Sequence, residues 1–311
     1  MKTYAFGVDI GGTACKIGLF FTDGTLVEKW EIDTNTKNNG ANILEDVADS
    51  LIAKLTEKAI SVKEVQGIGI GVPGPVAEDG SVFQCVNLGW KEYPVKKILE
   101  KKTGIKVKVE NDANVAALGE MWQGGAKGYK NVIMVTLGTG VGGGVIVNGQ
   151  ISSGTNGSGG EIGHMKVNIN ETDVCNCGGK GCLEQYASAT GLVRLAKQKL
   201  AVEHKKTILD DGKALTAKAI FDASKSGDKV AIELVDELGS ILGIALGNVS
   251  CITDPEVFVI GGGVSKAGQI LTDVIQRHYY NTVFPGCKNA KFVLAGLGND
   301  AGIYGCVKML M

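Results

Sequence analysis

Residues 132–147 read VIMVTLGTGVGGGVIV, a strand-like run that breaks into glycines and then resumes. The pattern predicts a strand at 132–137, a glycine loop at 138–144 and a second strand at 145–147, closed by an Asn148-Gly149 hairpin turn. The loop contains a G-x-G-x-x-G match, but a dinucleotide-binding turn needs a helix directly after its glycines, and here a strand follows. The loop also lacks the lysine of a Walker motif. These residues therefore predict a strand–glycine turn–strand unit.

The same unit occurs near the N-terminus. Residues 4–10 form a β-rich run that ends in Gly11-Gly12-Thr13, and a second run follows at 15–21. We interpret the two copies as an internal duplication with diverged halves. Elsewhere, strand-like runs alternate with amphipathic segments such as residues 43–55, in which apolar residues recur at helical spacing. This alternation predicts an α/β fold with helices on the faces of the sheets.

Glycine turns of this kind can bind phosphate groups. Without a Cβ, the backbone N–H groups can approach a polyphosphate closely, and a threonine hydroxyl adds a donor. A single glycine-rich hairpin is more often an ordinary tight turn, but two copies, preceded by Asp9 and Thr136, favour a nucleotide held from two sides. A third cluster, Gly261-Gly262-Gly263, follows a predicted strand at 257–260 and suits the adenosine end.

The composition argues against several classes of protein. The chain has 311 residues, of which 44% are apolar, so it has enough material for two domains. Its 32 basic and 33 acidic residues give a net charge of -1, which offers no electrostatic surface for nucleic acid or anionic membranes. No apolar run is long enough to span a bilayer, and the N-terminus shows no signal-peptide pattern, so we expect a cytoplasmic protein.

Asn111 and Asp112 lie where a predicted strand at 105–109 gives way to a helix that begins near Ala113. At the carboxyl edge of a sheet, a carboxylate can accept the proton of a hydroxyl that attacks a phosphoryl group, and an amide can bind sugar hydroxyls. Asn and Asp at a helix start are also common N-caps, worth ~1 kcal/mol. Taken alone the two residues favour the cap, so the choice depends on the motifs around them.

The most specific chemical signal is His164 together with Cys175, Cys177 and Cys182. Three thiolates and one imidazole form a complete tetrahedral ligand set for zinc. Because protein takes every ligand position, we expect a structural site. The alternatives are inert cysteines or a disulfide. Cys175 and Cys177 are too close in sequence to form a disulfide easily with each other. The length of the chain and the lack of a signal-peptide pattern also favour a reducing compartment, where disulfides are rare.

The motifs together resemble the ROK family of actin-like sugar kinases along essentially the whole chain. The resemblance rests on residues 9–13, the glycine loop 138–144, the segment 111–120 and the motif His-x10-Cys-x-Cys-x4-Cys. It implies a two-lobed, ribonuclease-H-like α/β fold with a duplicated strand–glycine turn–strand core. A small lobe would comprise residues 1–114, with 298–311 packing back on it, and a large lobe residues 115–297 with the zinc-binding loop.

The resemblance also implies ATP-dependent phosphorylation of a hexose, with Asp112 as the general base. Magnesium would travel with ATP, and Asp9 would hold it through water. The residues expected at the nucleotide are Asp9, Gly11, Gly12, Thr13, Lys16, Thr136, Gly138, Thr139, Gly140, Gly143, Gly261, Gly262 and Gly263. Around the zinc motif, His164 would bind the sugar with the imidazole edge not bound to zinc, because a metal-clamped histidine cannot rotate away. The residues expected at the sugar are Gly74, Asn87, Asn111, Asp112, Glu161, His164 and Glu184.

Glucose is the leading candidate substrate, and a kinase for N-acetylhexosamine, mannose or fructose is the alternative within the family. A sugar-responsive ROK repressor would carry a helix-turn-helix before the first glycine turn, and only eight residues precede Asp9, so we expect no DNA partner. An actin-like ATPase would not need the sugar residues. The resemblance also implies a homodimer or homotetramer, and the sequence leaves polyphosphate open as a second phosphoryl donor.

Overall fold

The computed structural model describes residues 3–203, 205–210 and 212–311. The strands are β1 (Tyr4–Ile10), β2 (Ala14–Phe21), β3 (Leu26–Asp33), β4 (Val65–Val72), β5 (Val82–Cys85), β6 (Trp90–Tyr93), β7 (Val107–Asn111), β8 (Val132–Leu137), β9 (Val141–Val147), β10 (Gln150–Ile151), β11 (Val257–Gly261) and β12 (Lys291–Leu294). The helices are α1 (Lys37–Gly40), α2 (Ile43–Glu57), α3 (Val95–Thr103), α4 (Asp112–Gln123), α5 (Glu184–Ala187), α6 (Ala189–Val202), α7 (Ala217–Lys225), α8 (Lys229–Thr253), α9 (Gln269–Thr282) and α10 (Ala301–Lys308). None of the described helices combines the length and apolarity needed to cross a membrane.

The chain divides into two compact units. Unit 1 comprises Met1–Lys130, Gly144–Gly160 and Gly296–Met311, and unit 2 comprises Asn131–Gly143 and Glu161–Ala295. The lobe boundary proposed from the sequence, after residue 114, falls inside α4, which lies wholly in unit 1. The two lobes and their boundary stay a prediction.

Unit 1 is built on a mixed sheet with the strand order β3-β2-β1-β4-β7. Strands β1, β2 and β3 form an antiparallel meander, while β4 and β7 run parallel to β1. Helix α10 packs directly on this sheet, because glycines leave room for its backbone: a Cβ on Gly69 would stand 1.8 Å from the Cys306 carbonyl oxygen, and one on Gly7 2.1 Å from that of Ile303. Because β1, β4 and β7 are parallel, their carboxyl ends lie at one edge of the sheet. Asp9 and Asn111 lie at this edge.

The second sheet has the order β10-β9-β8-β11-β12, and the division between the units falls within β9. In unit 2, β8, β11 and β12 are parallel, and Gly261 at the end of β11 is paired with Thr136 near the end of β8. The glycine turn after β8 and the glycine cluster after β11 are consequently neighbours. At Gly262, whose φ is +80°, a Cβ would stand 2.5 Å from the Leu137 carbonyl oxygen, so this close approach requires glycine.

The predicted α/β class and the repeated strand–glycine turn–strand unit are both present, but the elements differ from prediction in detail. Strand β9 begins at Val141, so Gly142–Gly144 lie within the strand and the glycine loop contains only residues 138–140. At Gly144 a Cβ would stand 2.6 Å from the Ala113 carbonyl oxygen, so a glycine in this strand lets α4 approach. The predicted placement of Gly143 in the phosphate loop is wrong, because this residue is buried in β9.

Candidate active site

Asp9 and Asp112 lie at the carboxyl edge of the unit 1 sheet. Asp9 is the penultimate residue of β1, and Asp112 is the first residue of α4, directly after β7. Burial and the nearby Asp112 carboxylate raise the pKa of Asp9 to about 6, and Lys16, paired with Asp9 across the β1–β2 ladder, opposes them. The Lys16 ammonium also donates to the Asn299 carbonyl oxygen at 3.3 Å. Two carboxylates at one sheet edge form a donor set suited to Mg²⁺.

Asn111 is the N-cap of α4. Its Oδ1 accepts hydrogen bonds from the N–H groups of Ala113, at 2.9 Å, and Asn114, at 3.2 Å. Its Nδ2 donates to the Gly74 carbonyl oxygen at 3.2 Å, which brings the predicted Gly74 to this edge. An amide nitrogen has two hydrogens, so one remains for a sugar hydroxyl. Asn87 is exposed and lies in the 3₁₀ turn Val86–Leu88 of the same unit.

Glu110 supports this edge and was missed by the sequence analysis. Its Oε1 accepts from the Asn111 N–H at 2.8 Å and from the Asn114 Nδ2 at 3.1 Å, and its Oε2 accepts from the Ser153 hydroxyl at 2.7 Å. It thereby fixes the turn on which Asn111 and Asp112 stand. A glutamate at the end of a strand, next to a candidate acid–amide pair, is the signal that could have identified it.

The Cys3His set forms a compact cluster in unit 2. The ligand atoms of His164, Cys175, Cys177 and Cys182 all lie within 4.8 Å of one another. The Cys177 and Cys182 sulfurs are 3.6 Å apart, and the Cys175 sulfur is 3.9 Å from the His164 Nδ1. A tetrahedron with zinc–sulfur bonds of about 2.3 Å has edges of about 3.8 Å, so the cluster has the dimensions of a closed zinc site.

The protonation of the thiols differs within this cluster. Burial raises the pKa of Cys175 to about 12, whereas the N–H of Gly179 lowers that of Cys177. Holding all of these sulfurs as thiolates requires a cation, and zinc supplies that charge when it binds. All eight cysteines of the chain are free thiols, so the disulfide alternative does not apply here.

Lys166 adds a positive charge beside the cluster. An isolated β-bridge pairs Lys166 with Cys182, and the Lys166 ammonium donates to the Cys182 sulfur at 2.9 Å. Zinc with three thiolates and one imidazole has a net charge of about −1, which a lysine offsets. Lys166 was not predicted from the sequence, where its signal is a cation two residues after a candidate histidine ligand.

The cluster orients the predicted sugar residues of unit 2. Since the Nδ1 of His164 faces the sulfurs, its Nε2 is turned outward, 3.9 Å from a carboxylate oxygen of the exposed Glu161. Glu184 begins α5, and its Oε1 lies 3.6 Å from the Cys175 sulfur. One imidazole nitrogen and two carboxylates thus lie around the metal-binding loop, and their contact with a sugar stays a prediction.

Glu184 also contacts the glycine turn after β8. Its Oε2 accepts a hydrogen bond from the Val141 N–H at 3.1 Å. A Cβ on Gly140 would stand only 1.9 Å from the same oxygen, so any larger residue there would force the Glu184 carboxylate to move. The turn predicted to bind phosphate and the carboxylate predicted to bind sugar are in direct contact.

A cavity of 460 Å³ in unit 2 has the size of a nucleotide site. It lies between the glycine turn, α7 and the 3₁₀ segment Gly263–Ala267. Its lining residues are Gly138, Thr139, Ala189, Ala217, Lys218, Phe221, Asp222, Lys225, Gly263, Val264, Lys266 and Ala267. Gly261 and Gly262 are not among the lining residues; a Cβ on Gly261 would stand 2.6 Å from the Met134 Cε, and one on Gly262 2.5 Å from the Leu137 carbonyl oxygen.

Helix α7, which forms one wall of this cavity, was not predicted from the sequence. Its N-cap is Thr216, whose hydroxyl accepts from the Ala219 N–H at 3.1 Å, and it buries Ile220 and Phe221. The threonine followed by a short apolar repeat was the available signal.

Comparison with known proteins identifies the family of the chain. Residues 5–311 match the ROK family. The glucokinase of Halalkalibacterium halodurans is 46% identical over 305 residues, which cover 96% of this chain and 92% of that protein. The xylose repressor of Caldicellulosiruptor bescii is 34% identical, and the alignment covers 98% of this chain and 77% of the repressor.

Among solved structures, a ROK family glucokinase from Streptomyces griseus in complex with glucose and AMPPNP is similar, with a TM-score of 0.76 and 33% identity over 98% of each chain. This similarity confirms the predicted fold class, that of the actin-like sugar kinases. With a match along nearly its whole length and a relative at 46% identity, the chain belongs to the ROK family.

Proposed function

We propose that the chain transfers the γ-phosphoryl group of ATP to glucose, giving glucose 6-phosphate. One observation carries the proposal: Glu184 contacts both the Cys3His cluster, which orients His164, and the glycine turn of a nucleotide-sized cavity. A sugar-reading carboxylate that touches a phosphate-binding turn suits a kinase better than an ATPase. Among the relatives, proteins named glucokinase support glucose as the acceptor.

In this proposal Asp112 is the general base. As the sugar hydroxyl oxygen attacks the γ-phosphorus, its proton passes to the Asp112 carboxylate, and ADP leaves with the electrons of the broken P–O bond. Magnesium bound with ATP would neutralise charge on the phosphates, and Asp9 would hold it. Asn111, fixed by its capping bonds, would orient a sugar hydroxyl with its remaining amide hydrogen.

The Cys3His loop has a structural role in this proposal. Its ligand set leaves no open position, so zinc would not activate water or substrate. It would hold His164, Glu161 and Glu184 in fixed directions, which hydrogen-bonded recognition of sugar hydroxyls requires. The cytoplasmic location remains a prediction from the sequence, and the homodimer or homotetramer a prediction from family resemblance.

A coupled assay of ADP release with ATP and a panel of hexoses tests the proposal. We expect glucose to give the highest kcat/KM, above mannose, fructose and the N-acetylhexosamines, and little ADP release without sugar. A preference for an N-acetylhexosamine would replace glucose as substrate, and rapid ADP release without any sugar would contradict the kinase assignment.

Asp112→Asn tests the base within the same assay. The amide keeps the shape but cannot accept the proton, so kcat should fall by roughly 10²-fold or more, while KM for glucose changes much less. Asp79→Asn, in an exposed turn of the same unit, is the matched control and should behave like wild type. Near wild-type turnover in Asp112→Asn would refute the assignment.

A further inference from the structure

The α5–α6 joint, by which we mean residues 184–190, is attached to the glycine turn by a series of hydrogen bonds. The Val141 N–H donates to Glu184 at 3.1 Å. The Ala189 N–H donates to the Gly138 carbonyl oxygen at 2.8 Å, and the Thr190 hydroxyl donates to the Thr139 carbonyl oxygen at 2.6 Å. Three residues of the turn, Gly138, Thr139 and Val141, are therefore held by residues of one short segment, 184–190.

These bonds fix the direction of the turn's N–H groups. In a trans peptide the C=O and the following N–H point in opposite directions. Holding the carbonyls of Gly138 and Thr139 toward α6 therefore turns the N–H groups of Thr139 and Gly140 away from it. Neither N–H donates to a protein group within the described residues. Two adjacent N–H groups that point the same way form a concave site for an anion.

Ser188 fixes the orientation of the Thr190 hydroxyl. The Ser188 oxygen accepts from the Gly191 N–H at 2.9 Å and lies 3.0 Å from the Thr190 oxygen. The single hydroxyl hydrogen of Thr190 is used on the Thr139 carbonyl, so Ser188 must be the donor between the two hydroxyls. Ser188 is fully buried and cannot exchange this bond for water, whereas Thr190 is exposed. The hydroxyl of Thr190 is thus directed at the turn.

We propose that Thr190 is a positioning residue for the phosphates of the nucleotide, acting through the Thr139–Gly140 peptide. The inference rests on the proposed function for the identity of the nucleotide, but it concerns nucleotide binding and not sugar binding. Without the Thr190 hydroxyl, the Thr139–Gly140 peptide can rotate, and the Gly140 N–H then loses its fixed direction.

The test compares Thr190→Val with Thr190→Ser. Valine keeps the shape and removes the donor, while serine restores it. The control is Thr282→Val, which removes a similar hydroxyl–carbonyl bond, from Thr282 to His278, at an exposed position at the end of α9. Calorimetric titration with ADP and with AMPPNP, without sugar, measures nucleotide affinity directly, and titration with glucose measures the sugar site.

For Thr190→Val we expect affinity for both nucleotides to fall by about 5- to 10-fold, as for loss of one hydrogen bond, with KM for ATP raised similarly. Glucose affinity and the melting temperature should stay close to wild type, and Thr190→Ser should recover most of the nucleotide affinity. Unchanged nucleotide affinity in Thr190→Val would overturn the proposal. So would an equal loss of glucose and nucleotide affinity, because that result indicates general disorder.

The proposal for Thr190 and the kinase assignment can fail independently of each other. If the wild type binds AMPPNP but phosphorylates no hexose, the proposed function fails while the Thr190 comparison still decides the inference. If the wild type phosphorylates glucose and Thr190→Val binds AMPPNP normally, only the inference fails.

Discussion

Adjacent residues at the edge of the unit 1 sheet use their side chains for different purposes. Asn111 caps α4 through its Oδ1, and Glu110 holds that turn from the other side. Asp112 instead raises the pKa of Asp9, although the Asp112 carboxylate also accepts from the Ala113 N–H at 2.8 Å. The helix-cap interpretation therefore describes Asn111, and the catalytic interpretation of Asp112 does not have to compete with it.

The raised pKa of Asp9 predicts how stability depends on pH. The folded carboxyl has a pKa of about 6, above its ordinary value of 3.8, so between those values the folded state binds more protons than the unfolded state. The free energy of unfolding contributed by this group must fall as pH rises through that window. Above pH 6 the ionised group costs about 2–3 kcal/mol, which Asp9→Asn removes.

We therefore expect Asp9→Asn to gain stability over wild type as pH rises from 4.5 to 7.5, while it loses kinase activity. The measurement is the urea unfolding midpoint at each pH, without magnesium or nucleotide. Asp79→Asn is the control, because hydrogen bonds from Ser81 lower the pKa of Asp79 and its variant should show no such gain. A constant difference between Asp9→Asn and wild type across this range would contradict the prediction.

At the scale of elements, the metal-binding loop, residues 164–182, is held both by its Cys3His cluster and by contacts that need no metal. Among these is Arg194 on α6, whose guanidinium contacts the carboxylates of Glu171 at 2.9 Å and Asp173 at 3.0 Å. The Tyr186 hydroxyl donates to the same Glu171, and with the Asp173 N–H and Arg194 it lowers the pKa of that carboxyl to about 2. The loop should therefore stay connected to α5 and α6 when the metal is lost.

This double attachment predicts an unequal effect of Cys177→Ser. We expect wild type to contain about one zinc per chain and the variant much less, since a hydroxyl is a poor zinc ligand. His164 and Glu161 would then lose their fixed directions, and misplacement by about 1 Å can lower the rate by ~10²-fold. Nucleotide affinity should change less, because the Arg194 contacts keep the α5–α6 joint in place.

Elemental analysis and separate titrations with glucose and AMPPNP measure these effects. Cys251→Ser, at an exposed cysteine on α8 outside the cluster, is the matched control. Wild-type protein without zinc, purified in the absence of chelator, would refute the metal site. A zinc-free Cys177→Ser variant with normal glucose affinity would separate the metal from sugar binding.

At the scale of the whole molecule, the net charge bears on whether this chain could bind DNA as a regulator does. One relative is named a xylose repressor and another a glucokinase, so relatives of this chain carry both kinds of name. Non-specific DNA binding depends on basic residues that displace counterions from phosphates. With 32 basic and 33 acidic residues, this chain has no excess of positive charge to do so.

We accordingly expect no binding to double-stranded DNA. The measurement is fluorescence anisotropy of a labelled pool of random-sequence duplexes, at about 50 mM salt, with and without glucose and xylose. Polylysine serves as the positive control. Micromolar binding that weakens steeply with salt would contradict the prediction and favour a regulatory role.

The sequence alone determined the α/β class, the duplicated glycine turn, the Cys3His set and the family. Each of these is encoded locally, by alternating apolar residues, by glycines where backbone must approach a ligand, or by ligand types at short spacing. Local patterns could not identify Gly143 as a strand residue or α7 as a cavity wall, because strand limits and helix packing depend on partners distant in sequence. Only the tertiary structure brought Glu184 and Thr190 to residues 139–141, more than 40 positions earlier in the chain, since hydrogen bonds between distant segments form only once the chain has folded.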